Sequence, residues 1–174
     1  MDRLTRFIRR HPESDEGFTL IELMVVVLII GILVAIAVPT FLGARNGAEN
    51  KAVESSLRNA LTTAKVYYTN NNGYAVAASV TAEVTSFGSL EPSLSFITTD
   101  TAATLVNGNT VGVLVDTNAA PETGVCLVGL SKTGNFYAIM DTSTAGTYYY
   151  EGATAPATCS STTFTLTNAT TALW

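Results

Sequence analysis

The chain has 174 residues, with 9 Lys and Arg against 14 Asp and Glu, a formal net charge of −5, a charged fraction of 13% and a positive mean hydropathy. That length suits one ordinary domain plus a membrane segment, and so sparse a charge complement is unusual for a purely soluble protein. An acidic chain has no basic field to hold a phosphate backbone, so nucleic acid is not an expected partner for the bulk of it.

Residues 1–17, MDRLTRFIRRHPESDEG, carry Arg3, Arg6, Arg9 and Arg10 with Asp2, Glu13, Asp15 and Glu16, and have no apolar face long enough to pack. They read as a leader. The stretch 18–44 has 27 residues and a single charge, Glu22. As a helix rising ~1.5 Å per residue it covers roughly 40 Å, more than a hydrocarbon core. Gly31 and Pro39 lie inside it, and Pro39 removes a backbone donor, which should kink or loosen the preceding turn. From residue 45 to 73 the pattern becomes amphipathic. Val53, Leu57, Ala60, Leu61, Ala64, Tyr67 and Tyr68 recur at three- and four-residue intervals, and Glu54 pairs with Arg58 at i,i+4. The helix should stop at TNNNGY, with Gly73 in the left-handed C-terminal position and the asparagines tolerant of the same region. Phe18 to Asn70 is therefore expected to be one near-continuous helix.

Beyond it, 74–174 reads as a β-rich head. The segment 75–109 has no strong period and is expected to be a loop region with short elements at most. Alternation in TVGVLVD (110–116), GVCLVGL (124–130), NFYAIMD (135–141) and GTYYYEG (146–152) predicts strands. The short links SKTG and TSTA make the last three an antiparallel meander. The tail CSSTTFTLTNATTALW alternates weakly and could supply one more strand. In the run Tyr148-Tyr149-Tyr150, alternate rings should face the two sides of the sheet.

Three readings compete for the opening segment. It could be a plain signal anchor. It could be a cleaved secretory signal, with Leu23 to Val34 as the apolar region and Ala35-Ile36-Ala37 as a small-x-small cleavage site. Against both stands Glu22, because a carboxylate at membrane depth normally indicates a partner, and neither reading supplies one. The third does. Gly17 followed by FTLIELMVVVLIIGILVAIAVPTFLGAR resembles the class III signal of bacterial type IV prepilins. In that family a membrane aspartyl peptidase cuts after the glycine and methylates the new N-terminus, the chain then begins with phenylalanine, its fifth residue is a glutamate, and a proline sits near the end of the apolar run.

The resemblance is close over about the first 55 residues after Gly17. It implies cleavage between Gly17 and Phe18, N-methylation of Phe18, and assembly residues Thr19, Glu22, Gly31 and Pro39. It also implies a fold of class α+β: a long N-terminal helix, transmembrane then amphipathic, packed on an antiparallel sheet of about four strands. When helices pack in a stagger, the amine made at Phe18 of one subunit can meet Glu22 of another, which would make the carboxylate a register device.

The two cysteines, Cys126 and Cys159, lie far past the apolar run. If the arginine-rich end stays in the cytoplasm they fall in the exported part, where one disulfide is expected and two buried free thiols are the rival. Their bridge would close a loop of about 34 residues, roughly 3.5 to 4 kcal/mol in the chain-entropy picture. The lone histidine, His11, falls in the leader, and Asp116, Glu122, Asp141 and Glu151 lack calcium-loop spacing. No enzyme, cofactor or metal is expected. The Asn168-Ala169-Thr170 triplet is a weak glycosylation signal.

The function these readings point to is filament building: a type IV pilus subunit, held in the cytoplasmic membrane as a precursor pool and polymerised into a surface filament. Its expected partners are further copies of itself, the prepilin peptidase, and an assembly platform with its ATPase. The alternatives are a pseudopilin of a secretion or DNA-uptake machine and, from a different class, a membrane-anchored surface-binding module. Twitching, adhesion and DNA uptake are not separable from the residues alone.

Overall fold

The structure is a computed structural model that describes residues 17–74, 80–98, 104, 105, 108–115, 124–143, 146–156, 169 and 170. The chain divides into two compact units, Met1–Phe41 and Leu42–Trp174. Helix α1 (Leu20–Asn71) supplies most of the first unit and opens the second. It is assigned as helix through Gly31 and Pro39 without a break. Just past Pro39, the Thr40 hydroxyl donates to the Ile36 and Ala37 carbonyls at 3.1 and 2.9 Å. Such back-bonding competes with the helical ladder where the proline has already removed one donor.

In the second unit the α1 residues Val53, Leu57, Ala60 and Ala64 follow the 4-3-4 spacing of a single helical stripe, and all four are buried. The helix ends where Asn72 takes a φ of 56°. Gly73 was the expected left-handed residue, but the asparagine one position earlier performs that role, its short amide side chain being among the few that tolerate the region.

Strands β1 (Ser95–Ile97), β2 (Thr110–Val115), β3 (Gly124–Leu130), β4 (Phe136–Thr142), β5 (Gly146–Gly152) and β6 (Ala169–Thr170) form one sheet in sequence order. Every pairing is antiparallel except β1 with β2, which is parallel. The meander from β3 to β5 is as the alternation predicts, whereas the sheet has six strands instead of about four. Part of the surplus comes from 75–109, expected as loop. That segment contains β1 and a helix, α2 (Val80–Leu90). The α2 sequence VTAEVTSFGSL is rich in β-branched residues, Ser and Gly, all poor helix formers. Tertiary packing overrides that preference: Phe87 is fully buried, edge-to-face with Tyr67 of α1 and Phe96 of β1, both at 5.4 Å. Val80 and Val84 pack on the same cluster.

Both faces of the sheet centre are covered. Val111, Val113, Val125, Leu127, Tyr137, Ile139 and Tyr149 join the α1 stripe in one core. Cys126, Val128, Phe136, Ala138 and Met140 form a second cluster with Leu105, against which Tyr148 and Tyr150 pack. The three tyrosines are thus divided between the faces as the strand period demands. α1 packs tightly on β3 at Gly129, where a Cβ would stand 2.7 Å from Val53 Cγ1. Gly134, in the turn between β3 and β4, adopts a φ of 92°, which glycine takes without a steric penalty.

Candidate functional site

The residues singled out at the start of the chain fall into one short region and two outliers. Residues 17–19 precede the helix, and Thr19 and Glu22 close a reciprocal box around its first turn. The Thr19 N–H and hydroxyl donate to Glu22 Oε2 at 2.9 and 2.7 Å, and the Thr19 hydroxyl oxygen accepts from the Glu22 N–H at 3.2 Å. Two groups at the helix start that would lack intrahelical partners are satisfied this way. The signal was present in the sequence, since T-L-I-E has the Thr-x-x-Glu form of a capping box ahead of an apolar run. The expectation named both residues without that contact. Gly31 and Pro39 lie further along α1 and are not brought to the box; a Cβ added at Gly31 would meet nothing within 4 Å.

The apolar face around this region is bare. Phe18 is 85% exposed, and large aliphatic residues from Leu20 to Leu42 are about half exposed or more on all sides of the helix. By length and composition this stretch can cross a membrane. A helix apolar all round is stable in lipid or among other helices, not in water.

Among the described residues, polar side-chain contacts tie separate elements of the second unit together. Asp141 of β4 accepts from the Tyr74 hydroxyl at 2.8 Å and the Thr147 hydroxyl at 2.6 Å, with Lys65 Nζ 3.3 Å away. Burial, then the bond to Asp141, pushes the Tyr74 phenol well above its ordinary range. Asn50 Oδ1 accepts from the Ser131 and Thr133 hydroxyls at 2.6 and 2.7 Å, fixing the β3–β4 turn to α1. The Tyr137 hydroxyl donates to Glu151 at 2.9 Å, and burial followed by that bond raises its pKa to about 12. The sequence reading missed these ties, because residues such as Tyr74 and Asp141 are 67 positions apart. Cys126 is fully buried in β3; Cys159, its expected disulfide partner, lies outside the described residues. Among the described residues no cluster of three His, Cys, Asp or Glu could hold a metal ion.

A bare apolar helix opened by a Thr–Glu box, with an amphipathic continuation packed on a mostly antiparallel sheet, is a pilin-like α+β architecture. Residues 14–38 match the family described as the prokaryotic N-terminal methylation motif, so that motif spans Gly17, the box and most of the apolar run. The chain is 41% identical over 61 residues to the type IV wide pilus major component PilA4 of Thermus thermophilus, covering 35% of this chain and 47% of that one. It is 38% identical over 67 residues to the type IV major pilin protein PilA of Myxococcus xanthus, covering 38% and 30%. It is also 41% identical over 71 residues to the type II secretion system core protein G of Escherichia coli, covering 37% and 49%. The chain matches less than half the length of each of these relatives. No solved structure matches it.

Proposed function

We propose that this protein is the structural subunit of a type IV pilus-like filament, cut after Gly17, methylated at Phe18 and polymerised through its apolar helix. The observation that carries the reading is the methylation-motif match over 14–38 on a helix whose apolar surface is exposed on every side. Before assembly that surface rests in the cytoplasmic membrane; in the filament it is covered by the same surface of neighbouring copies. The membrane peptidase, the assembly platform and its ATPase are the partners such a cycle requires. Glu22 pairs with the Phe18 amine of an adjacent copy, and Gly31 and Pro39 mark helix that can loosen as the subunit leaves lipid. Cys126 pairs with Cys159 and ties the C-terminal segment to the sheet. The similarity to a type II secretion core protein favours a second reading, a pseudopilin built by the same steps into a short secretion filament.

Mass and N-terminal sequence of the chain from its own membrane test this. The expected product has 157 residues, the 174 less the 17 of the leader, and begins with a methylated Phe18. Replacing Gly17 with a large residue should nearly abolish cleavage. A mature end at Val38 would instead make the segment a secretory signal and overturn the proposal. Long surface filaments against short ones confined to the envelope separate the two readings.

A further inference from the structure

In the second unit, a cavity of about 370 Å³ is lined by Glu49, Ala52 and Val53 of α1, Gly108 and Asn109 ahead of β2, and Lys132 of the β3–β4 turn. The turn is braced against α1: Asn50 Oδ1 accepts from the hydroxyls of Ser131 and Thr133, the two neighbours of Lys132, and the Gly134 N–H donates to the Ser131 carbonyl at 2.9 Å. Lys132 is exposed, while the Glu49 side chain is 21% exposed and accepts from Arg45 Nε through Oε1 at 3.2 Å. The cavity therefore offers one cation and one carboxylate on separate elements, together with the apolar Ala52 and Val53. Charge around it nearly cancels. Arg45, Lys51, Arg58 and Lys132 meet Glu49, Glu54 and Glu151, which the strand register places level with Gly129, so four cations face three carboxylates. Glu49 lies five residues past Ala44, where the apolar run ends, a distance of about 7 Å along a helix. The headgroup layer of one leaflet is roughly 5 to 8 Å deep.

We infer that this cavity receives the headgroup of a zwitterionic membrane phospholipid, with the phosphate at Lys132 and an ammonium at Glu49. The inference rests on the membrane-held stage of the filament reading and adds a ligand to it. Phosphoethanolamine matches the cavity's chemistry on both sides: its phosphate accepts from the lysine, and its ammonium brings N–H donors to the carboxylate. A trimethylated choline has the charge but no N–H to donate. A phosphoglycerol has no cation and leaves Glu49 beside a like charge, and the nearly balanced surroundings supply no strong positive field to compensate. The brace at Asn50 holds the lysine's backbone in place before any lipid arrives, which lowers the ordering cost of the contact. In a waiting subunit the contact steadies the head at the bilayer surface, and it is given up when the subunit leaves lipid.

The test is a titration of the full chain in detergent micelles with short-chain phosphatidylethanolamine, phosphatidylcholine and phosphatidylglycerol, followed by amide NMR shifts. Ala52, Gly108, Lys132 and Gly134 report on the cavity, and Gly146, at the other end of β4, is the reference. Phosphatidylethanolamine should give saturable shifts at the first four and none at Gly146, with an affinity roughly 3- to 10-fold above the other two lipids, the order of one partly exposed charged contact. Glu49→Gln should abolish that preference by weakening phosphatidylethanolamine alone, and Lys132→Gln should weaken all three, because each carries the phosphate. Both side chains lie outside the two core clusters, so unchanged shifts through β3 and β4 verify the fold of each variant. Equal affinity for the three lipids, tighter binding of phosphatidylglycerol, a Glu49→Gln chain that keeps the preference, or an unaffected Lys132→Gln chain would each overturn the headgroup site and leave the filament reading standing. Cavity shifts that grow with protein concentration in the absence of added lipid would assign the cavity to a second copy and overturn it as well. Recovery of the wild-type chain from the soluble fraction of its own cells would overturn the membrane-held stage and the site together.

Discussion

Gly129 illustrates how much one missing methyl can decide. Its absent Cβ would stand 2.7 Å from Val53 Cγ1 and 3.6 Å from both Leu57 methyls. Val53 has little room to give way, being 1% exposed and branched at Cβ. Gly129→Ala should therefore destabilise the second unit by about 1 to 3 kcal/mol through overpacking. Denaturant melts of the detergent-solubilised chain would measure it, with Val53→Ala in the same background restoring part of the loss. An unchanged midpoint would mean that α1 can lift from β3 at no cost.

Among the elements, α1 carries the prediction with the widest reach. Alone, it is helical through Gly31 and Pro39, with Thr40 bonded back to Ile36 and Ala37. In the filament this stretch should lose helical hydrogen bonds while the helix on either side persists. A filament map with unbroken helix from Gly31 to Pro39 would refute that. α1 and strands β2 to β5 were legible in the sequence because each obeys one period over many residues, 3.6 for the stripe from Val53 to Ala64 and 2 for the strands. α2 was not, because three apolar positions at Val80, Val84 and Phe87 are too few to outweigh poor propensity until Tyr67 and Phe96 close on Phe87. Of the candidate site, the Thr19–Glu22 contact had its signal in the Thr-x-x-Glu spacing, although the sequence reading named the two residues without joining them. The ties at Asp141 and Asn50 depend on which distant hydroxyls the fold brings near, and no local pattern records that.

For the whole molecule, the head's stability should depend on redox state and on alkaline pH. Loss of the expected Cys126–Cys159 bridge in Cys159→Ser should cost roughly 2 to 4 kcal/mol and reduce surface filaments. Mass spectrometry finding both thiols free in surface protein would refute the bridge. The pH dependence follows from Tyr137, whose pKa rises from 10.0 to about 12, and from Tyr74, shifted in the same direction. Because the folded state holds these protons more tightly, both contributions are complete below about pH 10; that of Tyr137 is lost as pH climbs through about 12, and that of Tyr74 declines over the same rise and beyond it. Thermal midpoints should accordingly be flat to pH 10 and fall beyond it, and Tyr137→Phe should fall less steeply. Identical alkaline slopes in the two chains would show that the Tyr137–Glu151 contact does not couple to folding.

Asp141 also bears on how the head is made. Its carboxylate is met by Lys65 near the end of α1, Tyr74 just past that helix, and Thr147 of β5, three groups that arrive from separate parts of the chain. A head lacking one of them leaves a largely buried carboxylate short of a partner, which offsets part of what the remaining contacts contribute. The residue thus acts as an inspection point, at which an incomplete subunit is penalised by its own chemistry. In a subunit that assembles as proposed, that penalty would make a defective head less stable than a complete one, so that fewer nearly correct heads would reach the array.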